Sequence, residues 1–280
     1  MAYSFTWIDS HAHPHDEKYF EEGKENSDEI VYQASKEDLG IIAVGTDFST
    51  SRKVVELSLR ASGCWAAVGI HPQNIIHQND QVTLSEEFSE TDFMTLLQSD
   101  RVVAIGECGL DFYRLPEDLS LREVVKKMQI ELFLAHARFA QDVELPLVIH
   151  CRDAYDVLIE LVRIRQLEIP HGAVVHCFTG TASQAKELTD IGFHLGFSGI
   201  VTYPSATNVR EAVAIIPDEK LLIETDAPYL APQMHRGEIN YSTYLPLIGE
   251  SIARIRGVDI ASLAHLTTRN AAQLFRIPLE

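Results

Sequence analysis

Eight short apolar runs punctuate the chain: "FTWIDSH", "GIIAVGTD", "CWAAVGIHP", "VVAIGECGLD", "LPLVIHCR", "GAVVHCFTG", "FHLGFSGIV" and "KLLIETDAPYL". Each is rich in β-branched or aromatic residues and is bounded by Gly, Pro or polar residues, the pattern of strands buried on both faces. Between them the spacing of apolar residues turns helical. "SDEIVYQASKEDLG" closes on Gly40, "TSRKVVELSLRASG" on Gly63 and "TASQAKELTDIG" on Gly192, each a candidate helix terminator. The stretch from Asp118 to Val143 predicts the longest helix, and "RDAYDVLIELVRIRQ" and "SATNVREAVAII" two more. The segment after the third run is longer and polar, and predicts one short helix near Phe88–Leu97. Two helical segments, "LPLIGESIARIRG" and "DIASLAHLTTRNAAQLF", follow the last run.

Strand then helix, eight times, predicts an α/β fold of the (β/α)8 TIM-barrel type. The alternative, an open doubly wound sheet, would usually carry a Gly-rich phosphate loop after its first strand, and the sequence has none there. No low-complexity linker divides the 280 residues, a normal length for one barrel, so a single domain over 1–280 is expected.

Composition narrows this picture. With 46% hydrophobic residues the chain can bury a large core. No apolar run approaches the roughly 18 residues of a membrane span, and no basic-then-apolar leader opens the chain, so a cytoplasmic protein without membrane partners is expected. Cys64, Cys108, Cys151 and Cys177 form no CxxC pair, which favours reduced thiols over a disulfide framework. A formal charge of −18 repels polyanions and argues against coating duplex nucleic acid. It leaves room for an enzyme that draws one phosphate onto local cations.

The candidate chemistry lies at the ends of the runs, where a barrel of this kind gathers its catalytic groups. Run one ends in His11 and His13, run three in His71, run four in Glu107, run five in His150, run six in His176 and run eight in Asp226. A lone histidine near a strand end is more often packed or exposed than a ligand. An HxH pair, an acid on strand four, histidines on strands five and six and an aspartate on strand eight together point to a metal site. Strand parity places His11 and His13 on one side, with Ser10 and Ala12 on the other. If Glu107, His150 and His176 point into the mouth, Cys108, Cys151 and Cys177 point outward under the helices. Leu222, Glu224 and Asp226 share the inward face, and Glu224 is expected to orient a ligand by hydrogen bonding. His15, His77, His136, His171, His194, His235 and His265 lack the strand-end context and read as structural or surface residues, with His15 the first exception.

"DSHAH", "GIHP", "GECGLDFYR", "VIHCR", "VHCFTG" and "ETDAPYL", in this order, resemble the TatD family of metal-dependent hydrolases, within the amidohydrolase-like barrels. The resemblance runs from about Trp7 to "TTRNAAQLF". It implies a first divalent metal on His11, His13, Glu107 and Asp226, with Glu107 bridging to a second on His150 and His176. It also implies a nuclease, trimming DNA from the 3′ end. Relatives that bridge their metals with a carboxylated lysine differ, because the fourth run offers Glu107 and no nearby lysine. Two places depart from the family pattern. Gln73 follows "GIHP" where many members carry histidine, and "RGEINYS" has Tyr241 and Ser242 in place of an acid and a proline.

The resulting expectation is two-metal hydrolysis of a phosphodiester, with Asp226 taking a proton from water and Glu107 holding the metals. Mixed imidazole and carboxylate donors suit Zn²⁺, Mn²⁺, Co²⁺ or Ni²⁺ better than Mg²⁺, though Mg²⁺ could act by mass action. Around this centre His71 is a candidate substrate contact, and Arg114, Arg152 and Arg236 are candidates for gripping phosphate, or for ordinary salt bridges. Phe112, Tyr113 and Tyr229 are candidates for stacking on bases, or for the rim of the core. The acidic surface favours a short single-stranded end over a long duplex. Two other functions fit the same residues: hydrolysis of esters or amides in small molecules or aminoacyl-tRNA, and a metal-retaining partner subunit without catalysis.

Overall fold

All eight apolar runs contain a strand of the barrel. The structure, a computed structural model, describes residues 4–19, 26–78 and 81–279. The expected span of 1–280 therefore begins and ends outside the described residues. In chain order the elements are β1 (Trp7–Ala12), α1 (Ser27–Lys36), β2 (Leu39–Val44), α2 (Phe48–Arg60), β3 (Cys64–Val68), β4 (Ile75–Gln78), β5 (Gln81–Leu84), α3 (Glu90–Leu96), β6 (Val102–Asp111), α4 (Leu119–Asp142), β7 (Leu147–Arg152), α5 (Tyr155–Arg163), β8 (Ala173–Val175), α6 (Ala182–Asp190), β9 (His194–Phe197), α7 (Thr207–Ile215), β10 (Leu221–Ile223), α8 (Leu245–Arg256) and α9 (Ile260–Phe275).

The sheet runs β1-β2-β3-β6-β7-β8-β9-β10, with every neighbouring pair parallel. It closes just beyond β10, where Ala12 bridges Ala227. There Asp226 N–H donates to the His11 carbonyl at 2.9 Å and His13 N–H to the Ala227 carbonyl at 2.7 Å. The result is a (β/α)8 barrel whose closing seam passes through three of the candidate site residues. No described helix is long and apolar enough to cross a membrane.

Two apolar layers hold the barrel. Ile8, Ile42, Val44, Trp65, Ala67, Ala104, Val148, Val174 and Leu222 fill the interior, with Ala271, Leu274 and Phe275 of α9 packed against them. Helix α9 also ties to the strand starts: Thr268 Oγ1 donates to the Thr6 carbonyl at 3.0 Å and Asn270 Nδ2 to the Leu221 carbonyl at 2.9 Å. The interior is thus filled from the N-terminal end, which leaves the C-terminal end for polar groups. The outer layer, including Trp7, Ile41, Ala66, Ile105, Ile149, Val175, Leu195 and Ile223, packs under Val54, Phe133, Leu158, Ala212 and Ile248 of the helices.

Two expectations fail here. The segment after β3 holds an antiparallel β4–β5 hairpin as well as the short helix. "IIHQ" and "QVTL" flank Asn-Asp, and burial alternates along Gln81–Leu84, a two-residue period hidden by the polarity of the segment. Gly40 ends no helix: α1 stops at Lys36 and Gly40 lies in β2, where an added Cβ would press on Ile8 and Trp65 at 3.3 Å. Close strand packing, not chain reversal, selects glycine at that position.

Candidate metal centre

Strict alternation does not deliver every candidate to the barrel mouth. On β10 it does: Leu222 is interior, Ile223 is exterior, and Glu224 follows the inward side. On β6, Ala104 is interior and Ile105 exterior, so simple alternation would turn Glu107 outward. The register shifts between Ile105 and Cys108, and Gly106 sits at φ +150, where an added Cβ would collide with the Val148 carbonyl. Only glycine tolerates that approach, and the irregularity swings Glu107 inward and Cys108 into the outer layer. On β1 a shift between Asp9 and Ala12 does the same for His11. Ser10, two residues after interior Ile8, also faces inward, not outward, and its Oγ lies 3.3 Å from Glu224 Oε2.

Glu107 is the hub, and its two oxygens face different partners. Oε2 lies 3.5 Å from His11 Nε2 and 3.6 Å from His13 Nε2. Oε1 lies 2.9 Å from His176 Nε2, 3.0 Å from His150 Nδ1 and 3.3 Å from His71 Nε2. Asp226 Oδ1 completes the first side, 3.7 Å from His11 Nε2 and 3.5 Å from His13 Nε2. Among the described residues, three overlapping groups have donor atoms close enough to share an ion: His11, His13 and Glu107; His11, His176 and Asp226; His71, Glu107 and His150.

The donors themselves call for cations. His13 Nδ1 donates to the Val44 carbonyl at 2.8 Å, so in the neutral ring Nε2 carries the lone pair. That lone pair faces His11 Nε2 at 3.1 Å, inside a buried cluster. A divalent cation satisfies such facing nitrogens and carboxylates together.

Electrostatics point the same way. Burial would raise the Glu107 pKa, but the rings of His176, His71 and His11 hold it well below the usual carboxylate range. Asp226 is likewise lowered against burial, by His13, His176 and His11. His176 is raised well above the ordinary imidazole range, because Glu107 and Glu224 outweigh its desolvation. Protons held this way are what cations displace on binding.

The cluster forms the floor of a cavity of about 910 Å³. Of the substrate candidates, His71, Tyr113, Arg114, Arg152 and Tyr229 line it. The Arg152 guanidinium lies over the Tyr113 ring, 3.7 Å from its centroid. Tyr229 donates to Asp16 Oδ2 at 2.6 Å and carries Lys18 Nζ over its ring at 3.7 Å. Arg236 lies over Tyr203 instead, 4.7 Å from the ring centroid, held there by the loop after β10. Phe112 packs against the outer core. Cys108 and Cys151 belong to the outer layer, but Cys177 is half-buried at the cavity wall with Sγ 3.3 Å from Ser198 Oγ. The chain leaves strand geometry there, at φ +46, so parity no longer governs its direction.

Three supporting residues escape the sequence reading. Asp111 is buried beside His150, with Oδ2 3.4 Å from Nε2 of that ring, and Gln73 Nε2 donates to the same oxygen at 2.9 Å. Its signal was the acid closing "GECGLD". Asp9 accepts from Thr225 N–H at 2.9 Å and Thr225 Oγ1 at 2.6 Å, tying the first strand to the chain after the last. Burial pushes its carboxyl up to about 7 against those bonds. Asn240, in the divergent "RGEINYS" loop, is fully buried and donates to the Thr225 and Tyr229 carbonyls at 2.9 and 2.6 Å. Glu224 sits behind His176, 3.5 Å from Nδ1, and also accepts from Cys177 N–H.

Comparison with known proteins agrees with this architecture. A family model described as TatD related DNase matches residues 8–276. The uncharacterized metal-dependent hydrolase YabD of Bacillus subtilis is 34% identical over 273 residues, covering 96% of this chain and 99% of the relative. The 3′-5′ ssDNA/RNA exonuclease TatD of Escherichia coli K12 is 36% identical over 246 residues, 85% of this chain and 88% of the relative. The crystal structure of YjjV, a TatD homolog from Escherichia coli K12, superposes with a TM-score of 0.83 at 25% identity, covering 98% of this chain and 99% of that one.

Proposed function

The chain belongs to the family of TatD-related DNases and is a metal-dependent hydrolase of that family, and on that premise we propose that it removes nucleotides from the 3′ end of single-stranded nucleic acid. The observation that carries this reading is the division of Glu107: one carboxylate oxygen toward His11 and His13, the other toward His150 and His176. In the proposal His11, His13 and Asp226 hold one divalent cation with Glu107, and His150 and His176 hold a second. Zn²⁺, Mn²⁺, Co²⁺ and Ni²⁺ suit these donors best. Bound there, the pair supplies Lewis acidity toward phosphate oxygens and an acidified water at neutral pH.

The protein's own residues do the rest. Asp226 remains a carboxylate at neutral pH and its side chain keeps 14% exposure, so it can take a proton from water at the cavity floor. Arg152, at the end of β7, and Arg114, after β6, offer planar donors to phosphate from the cavity wall. Tyr113, exposed and backed by the Arg152 guanidinium, offers a stacking surface to a base. With a net charge of −18 the chain has little to hold a long duplex, which favours single-stranded ends. The E. coli relative named as a 3′-5′ ssDNA/RNA exonuclease supports the same polarity.

The test is turnover of metal-loaded protein on a single-stranded oligonucleotide, on the matching duplex, and on aminoacyl and small phosphate esters. Stepwise loss of nucleotides from the 3′ end of the single strand is expected. Turnover confined to the esters would replace the nuclease reading with the small-molecule one.

A further inference from the structure

The five histidines around Glu107 differ in what the ring nitrogen turned away from Glu107 meets. His13 Nδ1 meets the Val44 carbonyl at 2.8 Å, an acceptor. His176 Nδ1 meets the Glu224 carboxylate at 3.5 Å, and His150 Nε2 meets the Asp111 carboxylate at 3.4 Å, both acceptors. None of His11 Nδ1, His150 Nε2 and His176 Nδ1 has a hydrogen-bond partner, and His11 Nδ1 has no facing carboxylate either. In His13 a hydrogen bond holds the proton on the far nitrogen, and in His150 and His176 a carboxylate faces the far nitrogen at longer range and favours a proton there, so the near nitrogen presents a lone pair. That is the arrangement of a metal-binding imidazole, whose second nitrogen almost always donates to a carbonyl, carboxylate or water.

His71 is the reverse. Its far nitrogen, Nδ1, accepts a hydrogen bond from the backbone N–H of Gln73 at 3.1 Å. An N–H cannot point at another N–H, so the His71 proton sits on Nε2, the nitrogen 3.3 Å from Glu107 Oε1. The segment is fixed on several sides. His71 N–H donates to the Thr46 carbonyl at 2.8 Å, and Asn74 N–H closes back on the His71 carbonyl at 2.9 Å. The Gln73 side chain is tied to Asp111 at 2.9 Å. Turning the tautomer over would break the bond to Gln73 N–H and oppose two donors inside this braced turn.

We infer that His71 is not a metal ligand, despite its place beside Glu107 and His150, but a catalytic hydrogen-bond donor whose Nε2–H serves a phosphate oxygen of the substrate. This rests on the phosphodiester reading above. His71 lines the cavity and its side chain keeps 12% exposure, with Nε2 beside Glu107 at the cavity floor. A neutral imidazole held in one tautomer is an electrophile of the kind that stabilises developing negative charge without adding a fixed positive one. Gln73 acquires a role as well: its backbone sets the tautomer, and its side chain binds Asp111 to keep that backbone in place.

The experiment measures bound metal and steady-state kinetics together, on wild type, His71→Ala and His71→Gln, with folding checked by thermal melts. Wild-type metal content in both variants is expected. In His71→Ala, kcat on a single-stranded oligonucleotide falls about 10²–10³-fold with a smaller change in KM. His71→Gln, which restores an N–H donor, recovers part of that loss. Loss of an ion in a folded His71→Ala, or an unchanged kcat, overturns the assignment. If wild type cleaves no oligonucleotide, the phosphodiester reading fails, and metal content still decides between ligand and donor.

Discussion

Asp111 places Oδ2 3.4 Å from Nε2 of His150, on the other side of the ring from Glu107. The carboxylate is held in place by Tyr113 N–H at 3.0 Å and Gln73 Nε2 at 2.9 Å, while its backbone N–H donates to Gln129 Oε1 at 2.8 Å. Hydrogen bonds from His150 and Gln73 hold its pKa well below the usual carboxylate range, although burial opposes them. Asp111 thus orients His150 without entering the cluster. Asp111→Asn is expected to weaken metal binding by about 10–100-fold, read by competition with a chromogenic chelator. Unchanged affinity would remove this role from Asp111.

The closing seam has its own dependence. Thr225 Oγ1 donates to Asp9 Oδ2 at 2.6 Å and accepts from Ala227 N–H at 3.2 Å, all within buried surroundings. Thr225→Val keeps the shape and leaves both partners short of a bond. A loss of about 1–3 kcal/mol in urea unfolding is expected. A variant as stable as wild type would show that the seam holds without this bond.

His136 predicts a pH dependence of stability away from the metal cluster. It is fully buried, with Nδ1 donating to the Leu132 carbonyl at 2.8 Å and Nε2 accepting from Ile70 N–H at 3.0 Å. Burial lowers its pKa from 6.5 to about 4. The unfolded chain therefore binds a proton that the folded chain refuses between those values. Stability from this group is complete above about 6.5 and is lost as pH falls toward about 4, by roughly 3 kcal/mol in all. Melts of wild type and His136→Gln across that window should converge toward low pH. Parallel curves would contradict the account.

Substrate contact should separate from chemistry at Tyr113. Its ring is 58% exposed and rests against Arg152. Removal in Tyr113→Ala should raise KM for a single-stranded oligonucleotide by about 1–3 kcal/mol, roughly 5- to 150-fold, with little change in kcat. An unchanged KM would place the bases elsewhere in the cavity.

Much of this molecule was legible in its sequence because the signals were periodic or repeated. Eight apolar runs gave eight strands, and Asp118 and Val143 are indeed the caps of α4. Candidate ligands recurred at strand ends, where the barrel brings them together. Parity failed for Ser10 on the first strand and for Cys177, where the backbone leaves strand geometry, while on β6 the irregularity at Gly106 delivers Glu107 inward and Cys108 outward as expected; such irregularities leave no mark in an apolar pattern. The β4–β5 hairpin was masked by its polar surface residues. Asp111, Asp9 and Asn240 were missed because their partners lie far along the chain, and no spacing rule joins Asp9 to Thr225. The tautomer of His71 depends on one backbone N–H, which composition and motif cannot express.

The groups around Glu107 are proposed to form a metal centre that cleaves nucleic acid from the 3′ end. The most direct test is a metal titration of apoprotein, counting bound ions while following nucleotide release from a single-stranded oligonucleotide, with Asp226→Asn alongside. Release is expected to rise with metal content toward two ions per chain, to stop with chelator, and to be lost in Asp226→Asn. Folded protein with both ions bound that releases no nucleotide, or an Asp226→Asn variant as active as wild type, would contradict this proposal.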